Sequence, residues 1–370
     1  MTDSVGNKVD FWRKVHIDRP LLMGLLTLMS VGLFVIYSAS GQDMALITRQ
    51  VTRLGVALVV MVLVAQVPPS FYLRWAAPLF IIGCGLLVAV LLFGVSSKGA
   101  QRWLDVGITR IQPSEMMKLA VPIMLAWFIA RKPLAPTIGY SLLGLLLIGI
   151  PTMLIAKQPD LGTSLLIASS GLFVIFMAGL SWRLITAFIA IVSASAPVIW
   201  IFYMRDYQKQ RVLTFLDPEK DPLGSGYHII QSKIAIGSGG MEGKGWLKGT
   251  QSQLEFLPER HTDFIFSVFA EEFGFTGVLI LLAIYLFIVA RGLMIAIQAQ
   301  DAFTKLLAGS LTLTFFVYVF VNIGMVSGIL PVVGVPLPLV SYGGTSMVTL
   351  MAGFGILMSI STHRRFLRDN

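Results

Sequence analysis

The chain has little charge, a single cysteine and only one long polar stretch. Asp, Glu, Lys and Arg together make up 13% of its 370 residues, whereas 56% of the residues are hydrophobic. A soluble domain could not bury so much apolar surface, so this composition is typical of a protein that crosses a membrane several times. The single cysteine, Cys84, excludes an internal disulfide and a cluster of thiolates around a metal ion.

Long hydrophobic runs dominate the sequence instead. A helix needs about 20 apolar residues to cross the hydrocarbon core of a bilayer. Ten runs approach or exceed this length, so we predict an all-α polytopic membrane protein with about ten transmembrane helices. The predicted spans are 20–39, 47–66, 76–95, 113–130, 137–156, 161–180, 183–203, 264–290, 304–326 and 345–361. Residues 1–370 are interpreted as a single membrane domain.

Lys and Arg residues are distributed unequally between the two sides of the predicted membrane. Ten spans place both termini on one side, which carries 13 Lys and Arg residues, against 7 on the other when the long loop 204–263 is discounted. Cytoplasmic loops carry the excess of positive charge, and long loops do not count. We therefore predict cytoplasmic N and C termini and an extracytoplasmic loop 204–263. The net charge of +9 reflects this bias and attraction to anionic lipids rather than nucleic-acid binding.

The long outer loop contains two patterned segments. The apolar spacing of residues 227–236 fits a short amphipathic helix near the bilayer surface. The glycine-rich run 237–245 could cradle an anion with its backbone amides or act as a hinge. The run is not a nucleotide-binding P-loop, because Lys244 is followed by Gly245 rather than by Ser or Thr.

A cluster of charged side chains ends this loop at the mouth of the eighth span. Glu259, Arg260, His261 and Asp263 stand within five residues. An Asp at the start of a helix is often a cap, because the helix dipole favours negative charge there. A carboxylate beside cations also suits a general base that activates a hydroxyl group. The surrounding cluster favours this second interpretation.

Further charged residues stand at the outer ends of predicted spans. Glu115 and Lys118 are spaced i, i+3 and can pair on one helix face, where charges at membrane depth usually face the bundle interior or a cavity. Asp160 could cap the sixth span. Glu271 and Glu272, about two turns below Asp263, could bond a neighbouring helix or line a site.

Several short motifs occur in a fixed order along the chain. They are residues 98–103, 112–115, 158–162, 258–264 and 328–344. Together with the ten-span layout, these motifs resemble the SEDS family of bacterial shape, elongation and division proteins. The resemblance extends over nearly the whole chain, and the run 331–336 is more similar to the elongation branch of the family than to its division branch.

This resemblance implies a peptidoglycan glycosyltransferase that polymerises lipid II on the outer face of the bacterial cytoplasmic (inner) membrane during cell elongation. It also implies a partner, a class B penicillin-binding protein that acts as a transpeptidase in the elongation complex. By its match to the family motif, Asp263 corresponds to the catalytic carboxylate. The residues expected to bind the substrate are Arg102, Trp103, Glu115, Lys118, Asp160, Lys244 and Arg260.

The residue chemistry is compatible with this activity. Transfer of a glycan from a lipid pyrophosphate needs a base for the acceptor hydroxyl and positive charge for the departing pyrophosphate. We expect Asp263 to accept the proton. The cations expected to neutralise the leaving group are Arg102, Lys118, Lys244 or Arg260.

A divalent metal is an alternative to these cations. Mg²⁺ or Mn²⁺ would suit carboxylate and phosphate oxygens. Zinc is not expected, because His228 and His261 are the only histidines predicted on the outer side and there is no thiolate ligand.

Two other functions fit a polytopic chain. A lipid flippase predicts charges or broken helices near the bilayer midplane, whereas these charges cluster at the outer rim and only Pro151 and Pro197 are evident mid-span breakers. A non-catalytic scaffold for the penicillin-binding protein explains the spans but not the charged cluster around Asp263.

Overall fold

The computed structural model describes residues 15–97, 100–105, 107, 110–131, 138–179, 186, 190, 193–195, 197–204, 206–220, 225–254, 256–257 and 259–363. Its α-helices are α1 (Arg19–Ala39), α2 (Met44–Gln66), α3 (Pro69–Phe93), α4 (Pro113–Ala130), α5 (Ile138–Lys157), α6 (Leu161–Met177), α7 (Asp206–Leu216), α8 (Ser225–Ser238), α9 (Thr250–Gln253), α10 (Ile265–Ile297), α11 (Ala302–Val326) and α12 (Thr345–Thr362). Short π and 3₁₀ helices cover Ile199–Tyr203 and Pro218–Lys220.

The helices agree with the predicted membrane spans. Eight of them, α1 to α5 and α10 to α12, are long and apolar enough to cross a membrane, and α6 is a shorter apolar helix of 17 residues. These helices coincide with nine of the ten predicted spans, which confirms the prediction of a polytopic all-α membrane protein. Most of the seventh predicted span, 183–203, lies outside the described residues.

Two helices are longer than the sequence predicted. Helix α3 begins at Pro69 rather than at residue 76, and α10 continues to Ile297 rather than ending at 290. Basic residues near these ends, Arg74 and Arg291, had suggested loops. In the structure, the Arg291 guanidinium donates to both carboxylate oxygens of Asp18, at 3.0 and 2.7 Å. A helix can therefore continue through this charge because it is paired.

Aspartate caps determine where several of these apolar helices begin. The carboxylates of Asp18, Asp43, Asp160 and Asp301 accept hydrogen bonds from backbone amides in the first turns of α1, α2, α6 and α11. Such bonds satisfy amides that have no partner inside the helix. The prediction that Asp160 caps the sixth span is confirmed.

Burial separates central helices from peripheral ones. In α4 and α11, 67% of the apolar stretch is buried, against 22% in α2 and 28% in α3. Helix α11 packs against α4, α6, α10 and α12, whereas α2 packs chiefly against α12. The centre of the bundle is therefore built around α4 and α11, and the outer faces of α2 and α3 carry exposed apolar side chains suited to lipid.

Helix α10 is broken near its outer end, which the sequence analysis did not predict. Gly274 has φ 62° and ψ −166°, a backbone conformation that favours glycine. The amides of Phe275 and Thr276 beyond the break donate to the carbonyls of Gly240 and Met241, at 2.9 and 3.1 Å. The glycine-rich run of the outer loop thus supplies hydrogen-bond acceptors for these two amides, which the break leaves without the carbonyl of a preceding helical turn.

The glycine-rich run also donates to α10. The amides of Lys244 and Gly245 bond the carbonyls of Glu271 and Glu272, both at 3.0 Å. Gly243 lies so close to the helix that a Cβ at this position would sit 2.2 Å from the Glu272 carbonyl oxygen. Because these two amides are already bonded to α10, they are not available to cradle an anion.

Two smaller elements complete the outer side. The helix predicted at residues 227–236 is α8, which packs against α10 and α11. Strands β1 (Val95–Ser97), β2 (Ala100–Asp105) and β3 (Arg110–Ile111) form an antiparallel sheet in the order β1-β2-β3 between α3 and α4. This small sheet was not predicted, and it places Arg102 and Trp103 on its central strand.

Candidate active site

Asp263 lies in a tight turn, which we call the Asp263 turn (residues 259–264). The amides of Thr262 and Phe264 donate to the Glu259 carbonyl at 3.0 and 3.4 Å, and the Thr262 hydroxyl donates to the Glu259 carboxylate at 2.8 Å. Glu259 has φ 52°. The N-cap of α10 is Phe264, with no side-chain cap bond. Asp263 therefore precedes the cap position instead of occupying it.

The loop between α11 and α12, residues 327–344, forms hydrogen bonds to main-chain carbonyls of the Asp263 turn. The Tyr342 amide donates to the His261 carbonyl at 2.8 Å, and the Ser341 hydroxyl donates to the Thr262 carbonyl at 2.7 Å. From α11, the Asn322 amide group donates to the carbonyls of both Asp263 and Val335, at 2.9 and 2.7 Å. These bonds fix the backbone of the turn, while the Asp263 side chain stays half-buried.

The same loop brings a second predicted group close to Asp263. The Asp263 carboxylate lies beside Gly334, where a Cβ would sit 3.5 Å from Oδ2. The adjacent Val333 carbonyl lies against Gly162 in the first turn of α6, where a Cβ would be only 2.9 Å away. A glycine at residue 162 thus allows the loop to lie between the Asp263 turn and the start of α6.

Arg102 and Asp160 form that second group. Arg102 Nη2 donates to the Pro159 carbonyl at 2.7 Å, and its Nε lies 3.5 Å from Asp160 Oδ2. Asp160 is buried, and Trp103 follows Arg102 on β2, opposite Val95 of β1. The pair ties the β-sheet to the start of α6.

Glu115 and Lys118 form the predicted pair on α4. Lys118 Nζ donates to Glu115 Oε1 at 2.5 Å and to Ser346 Oγ at 3.4 Å, and it lies 5.3 Å from the centroid of the Tyr318 ring. Both charged side chains are largely buried. The second Glu115 oxygen, Oε2, is buried without a hydrogen-bond partner in the described part of the chain.

A small cleft of about 30 Å³ lies beside Lys118 between α4, α11 and α12. Most of its lining is apolar, including Leu311, Phe315, Leu350 and Phe354. This volume corresponds to about one or two water molecules, so the cleft is a gap in the packing of these helices.

Lys244 is bonded to the broken helix. Its Nζ lies 2.7 Å from Glu271 Oε1, which also accepts from the Thr250 hydroxyl at 3.0 Å and from the Gln251 amide at 3.1 Å. Glu271 is fully buried. Glu272 accepts a hydrogen bond from the Ser38 hydroxyl of α1. The two glutamates therefore attach the outer loop and α1 to α10. Of the two roles considered from the sequence, bonding of neighbouring segments is the one that these contacts support.

His228 of α8 lies against the N-cap of α10. Its ring stacks on Phe264 with centroids 5.8 Å apart, and its Nδ1 is buried without a hydrogen-bond partner among the described residues. Burial lowers the pKa of His228 below its usual 6.5, against the opposing effect of nearby Glu259. The ring is thus held in its neutral form at neutral pH next to the Asp263 turn.

The sequence analysis missed three residues that contact this region. Asn322 and Ser341 hold the Asp263 turn, and the Arg53 guanidinium stacks on Tyr342, 4.6 Å from the ring centroid. Arg53 and Asn322 are polar residues within apolar spans, which is a signal that could have identified them. Ser341 is part of the motif 328–344, but nothing in the sequence assigned its partner.

The structure therefore groups the predicted site residues around the 327–344 loop. Asp263 lies against Gly334 of this loop. Asp160, paired with Arg102, lies at the start of α6, which contacts Val333 of the loop. Lys118 donates to Ser346, just after the loop. Lys244 is attached instead to Glu271. Motif residues 98, 99 and 258 lie outside the described residues.

A family model described as "Cell cycle protein", for FtsW, RodA and SpoVE, matches residues 16–366. The chain belongs to this family. The peptidoglycan glycosyltransferase MrdB of Escherichia coli K12 is 61% identical over 367 residues, with 99% of each chain covered. A probable peptidoglycan glycosyltransferase FtsW of Idiomarina loihiensis is 36% identical, with 95% of this chain and 88% of the relative covered.

Solved structures of the FtsW/RodA/SpoVE family agree with the fold. The rod shape determining protein RodA of Thermus thermophilus matches with a TM-score of 0.70 and 28% identity, covering 93% of this chain and 96% of its own. A chain from a peptidoglycan synthase complex, whose structure concerns the coordination of polymerization and crosslinking, matches with a TM-score of 0.82 and 33% identity, covering 94% and 99%. The resemblance to the shape, elongation and division proteins is confirmed, and the chain is a multi-pass membrane protein.

Proposed function

We propose that this protein is a peptidoglycan glycosyltransferase that polymerises lipid II into glycan strands at the outer face of the inner membrane during cell elongation. The observation that carries the proposal is the position of Asp263. Its carboxylate is half-buried at the mouth of α10, on a backbone held by Asn322, Ser341 and Tyr342. The names of the relatives, 61% and 36% identical, support the same activity.

Asp263 acts as the general base in this proposal. The oxygen of the acceptor sugar hydroxyl attacks the anomeric carbon of the donor, and its proton passes to the Asp263 carboxylate. The bond from that carbon to the phosphate oxygen breaks, and the pyrophosphate leaves with the electron pair. A base fixed in place costs no reorganisation when the proton moves, and proton transfer of this kind contributes about 10²- to 10⁴-fold to the rate.

Arg260 is the predicted cation that lies nearest along the chain to this base. Its Nη2 lies 4.0 Å from the position that a Cβ at Gly41 would occupy, so it reaches the turn between α1 and α2. We assign the leaving group first to Arg260, because it lies three residues from the proposed base. Lys118 and Arg102, which are bonded to Glu115 and Asp160, are the further cations of the site.

A divalent cation would need the substrate to complete its coordination. Among the described residues, no three His, Cys, Asp or Glu side chains form a group that could hold a metal ion. Mg²⁺ is commonly held by one or two carboxylates together with substrate phosphates. In the metal alternative, the Asp263 carboxylate would help to hold Mg²⁺ or Mn²⁺, and the ion would supply positive charge for the departing pyrophosphate.

The partner we propose is a class B penicillin-binding protein. Its support is the match to a chain from a peptidoglycan synthase complex that polymerises and crosslinks. A transpeptidase would join the strands that this chain produces, and both proteins would act at the outer face of the inner membrane.

A flippase is a weaker explanation of the broken helix. Transporters use broken helices to expose backbone groups to a substrate. At Gly274, the amides of Phe275 and Thr276 are bonded to Gly240 and Met241 of the protein's own loop. The break therefore anchors a loop in the described structure.

Polymerisation of purified lipid II tests the proposal. The protein is reconstituted in detergent or liposomes with and without the penicillin-binding protein, and glycan products are separated by length. Crosslinking by the penicillin-binding protein is inhibited, so that the length of each strand can be measured directly. Long glycan strands are expected from the complex. Movement of lipid II across the liposome bilayer without any glycan product would support a flippase, and neither outcome from a folded complex would support a scaffold.

A further inference from the structure

Arg53 is a cation inside a membrane-spanning helix with an aromatic contact but, among the described residues, no acidic partner. Its guanidinium carbon lies 4.6 Å from the centroid of the Tyr342 ring, and its Nε lies 3.6 Å from the position of a Cβ at Gly344. No acidic side chain in the described ranges forms an ion pair with it. A charge at this depth is costly and usually faces a substrate path or cavity.

Tyr342 connects Arg53 to the Asp263 turn. The Tyr342 amide bonds the His261 carbonyl at 2.8 Å, and the two rings meet edge to face with centroids 5.8 Å apart. Arg53 therefore touches a residue that directly holds the turn of the proposed base. A ligand bound to the edge of the guanidinium would lie next to that turn.

The face of α2 that carries Arg53 also presents an unsatisfied buried atom. Gln50 stands one turn earlier and is fully buried; its Nε2 lies 3.4 Å from the Ser341 carbonyl, and its Oε1 has no hydrogen-bond partner in the described structure. The only acidic group at the start of α2 is its N-cap Asp43, whose carboxylate is bonded to the amides of Ala45 and Leu46. The positive charge of this face comes from Arg53, whereas Gln50 Oε1 is an acceptor that can bond only a donor such as a hydroxyl group.

The geometry of Arg53 favours phosphate as its ligand. A guanidinium stacked on an aromatic ring keeps the N–H groups at its edge free, and its planar fork matches two oxygens of a phosphate. Arg260 Nη2 lies 4.0 Å from the position of a Cβ at Gly41, in the turn that precedes α2.

Resting on the proposed function, we propose that Arg53 binds phosphate oxygens of the lipid-linked pyrophosphate, with Tyr342 fixing the plane of its guanidinium group. This assigns to α2 a substrate contact beside the Asp263 turn. The contact differs from the Lys118–Glu115 pair, because Arg53 has no carboxylate partner in the described residues to neutralise it.

Binding of a short prenyl pyrophosphate tests this assignment without requiring turnover. The full-length protein in detergent is titrated with farnesyl pyrophosphate and, separately, with farnesol, which has the same chain but no phosphate. Wild type, Arg53→Met and Lys220→Met are compared. Lys220 is the control because it is an outer-loop cation, 82% exposed, that pairs with Asp217 away from the site.

We expect Arg53→Met to bind farnesyl pyrophosphate about 10- to 100-fold more weakly than wild type, the loss typical of a charged hydrogen bond. Its binding of farnesol should be unchanged, and Lys220→Met should match wild type for both ligands. Equal affinity of wild type and Arg53→Met for farnesyl pyrophosphate would overturn the assignment. So would wild-type binding of farnesyl pyrophosphate no tighter than that of farnesol.

A second variant covers the case in which Arg53→Met does not fold. Arg53→Gln removes the charge but keeps a polar side chain, and it is judged by the same loss of pyrophosphate binding. Melting curves of each variant identify misfolded protein. Glycan polymerisation by wild type is measured in parallel, so failure of the proposed function would appear as absent polymer, independently of the binding result.

Discussion

Asp263 is held in place by bonds to backbone atoms of its own turn. Asn322, Ser341 and Tyr342 each bond a carbonyl between His261 and Asp263. These bonds fix the backbone that carries the Asp263 side chain, which is half-buried with Oδ2 beside Gly334. At the scale of single residues, the site depends on donors that do not take part in the chemistry.

His228 gives this region a measurable dependence on pH. Burial lowers its pKa from the usual 6.5, so the unfolded state binds more protons once the pH falls below 6.5, and stability decreases from there down through the folded-state pKa. We expect the melting temperature of wild type in detergent to fall more between pH 7.5 and 5.5 than that of His228→Gln. An identical fall in both proteins would show that His228 does not contribute.

Asp263 could be proposed as a candidate from the sequence because its neighbours are charged and it ends the only long polar stretch. The residues that hold its turn could not be predicted in this way. Asn322 is 59 positions from Asp263, and Ser341 is 79 positions from Thr262, the residues whose carbonyls they bond. Such contacts depend on how the helices pack, which no local pattern encodes. The Glu115–Lys118 pair was predictable for the opposite reason, since its two residues share one helix face.

At the scale of elements, the break in α10 and the glycine-rich run form one structural unit. Gly274 leaves the helix conformation, and the run bonds the groups on both sides of it. No sequence pattern indicated this break, because a single glycine in an apolar run is usually tolerated inside a helix. The break is stabilised by a segment that comes much earlier in the chain.

Gly243→Ala tests this unit. Gly243 has φ +82°, and the added Cβ would meet the Glu272 carbonyl at 2.2 Å. We expect the variant to lose several kcal/mol of stability or fail to fold, because both the backbone strain and the clash must be relieved. Gly237→Ala is the matched control, since a Cβ there has nothing within 4 Å. Equal melting temperatures for the two variants would contradict the proposed packing.

At the scale of the whole molecule, the nine spans that the structure describes followed from run length alone. The arrangement of the helices could not be predicted, because these helices are apolar on nearly every side. No apolar stripe therefore indicates which face of a helix packs against its neighbour. Helices α4 and α11 form the centre, while α2 lies at the periphery. Buried polar residues such as Asn322 and Lys118 are the few markers of the central helices.

Cysteine labelling tests the predicted orientation. The single cysteine is first removed by Cys84→Ala, and one cysteine is then introduced by Lys220→Cys in the outer loop or by Ala299→Cys between α10 and α11. We expect a membrane-impermeant thiol reagent added to spheroplasts to label Lys220→Cys at once and Ala299→Cys only after lysis. The reverse pattern would place both termini outside and contradict the positive-inside assignment.

The most direct test of the central claim is lipid II polymerisation by Asp263→Asn in complex with the penicillin-binding protein. Asp217→Asn is the matched control, because Asp217 carries the same group in the same loop and pairs with exposed Lys220. We predict that Asp263→Asn loses at least about 100-fold of the polymerisation rate at an unchanged melting temperature, while Asp217→Asn keeps the wild-type rate. Polymerisation by folded Asp263→Asn at the wild-type rate would contradict the assignment of Asp263 as the base.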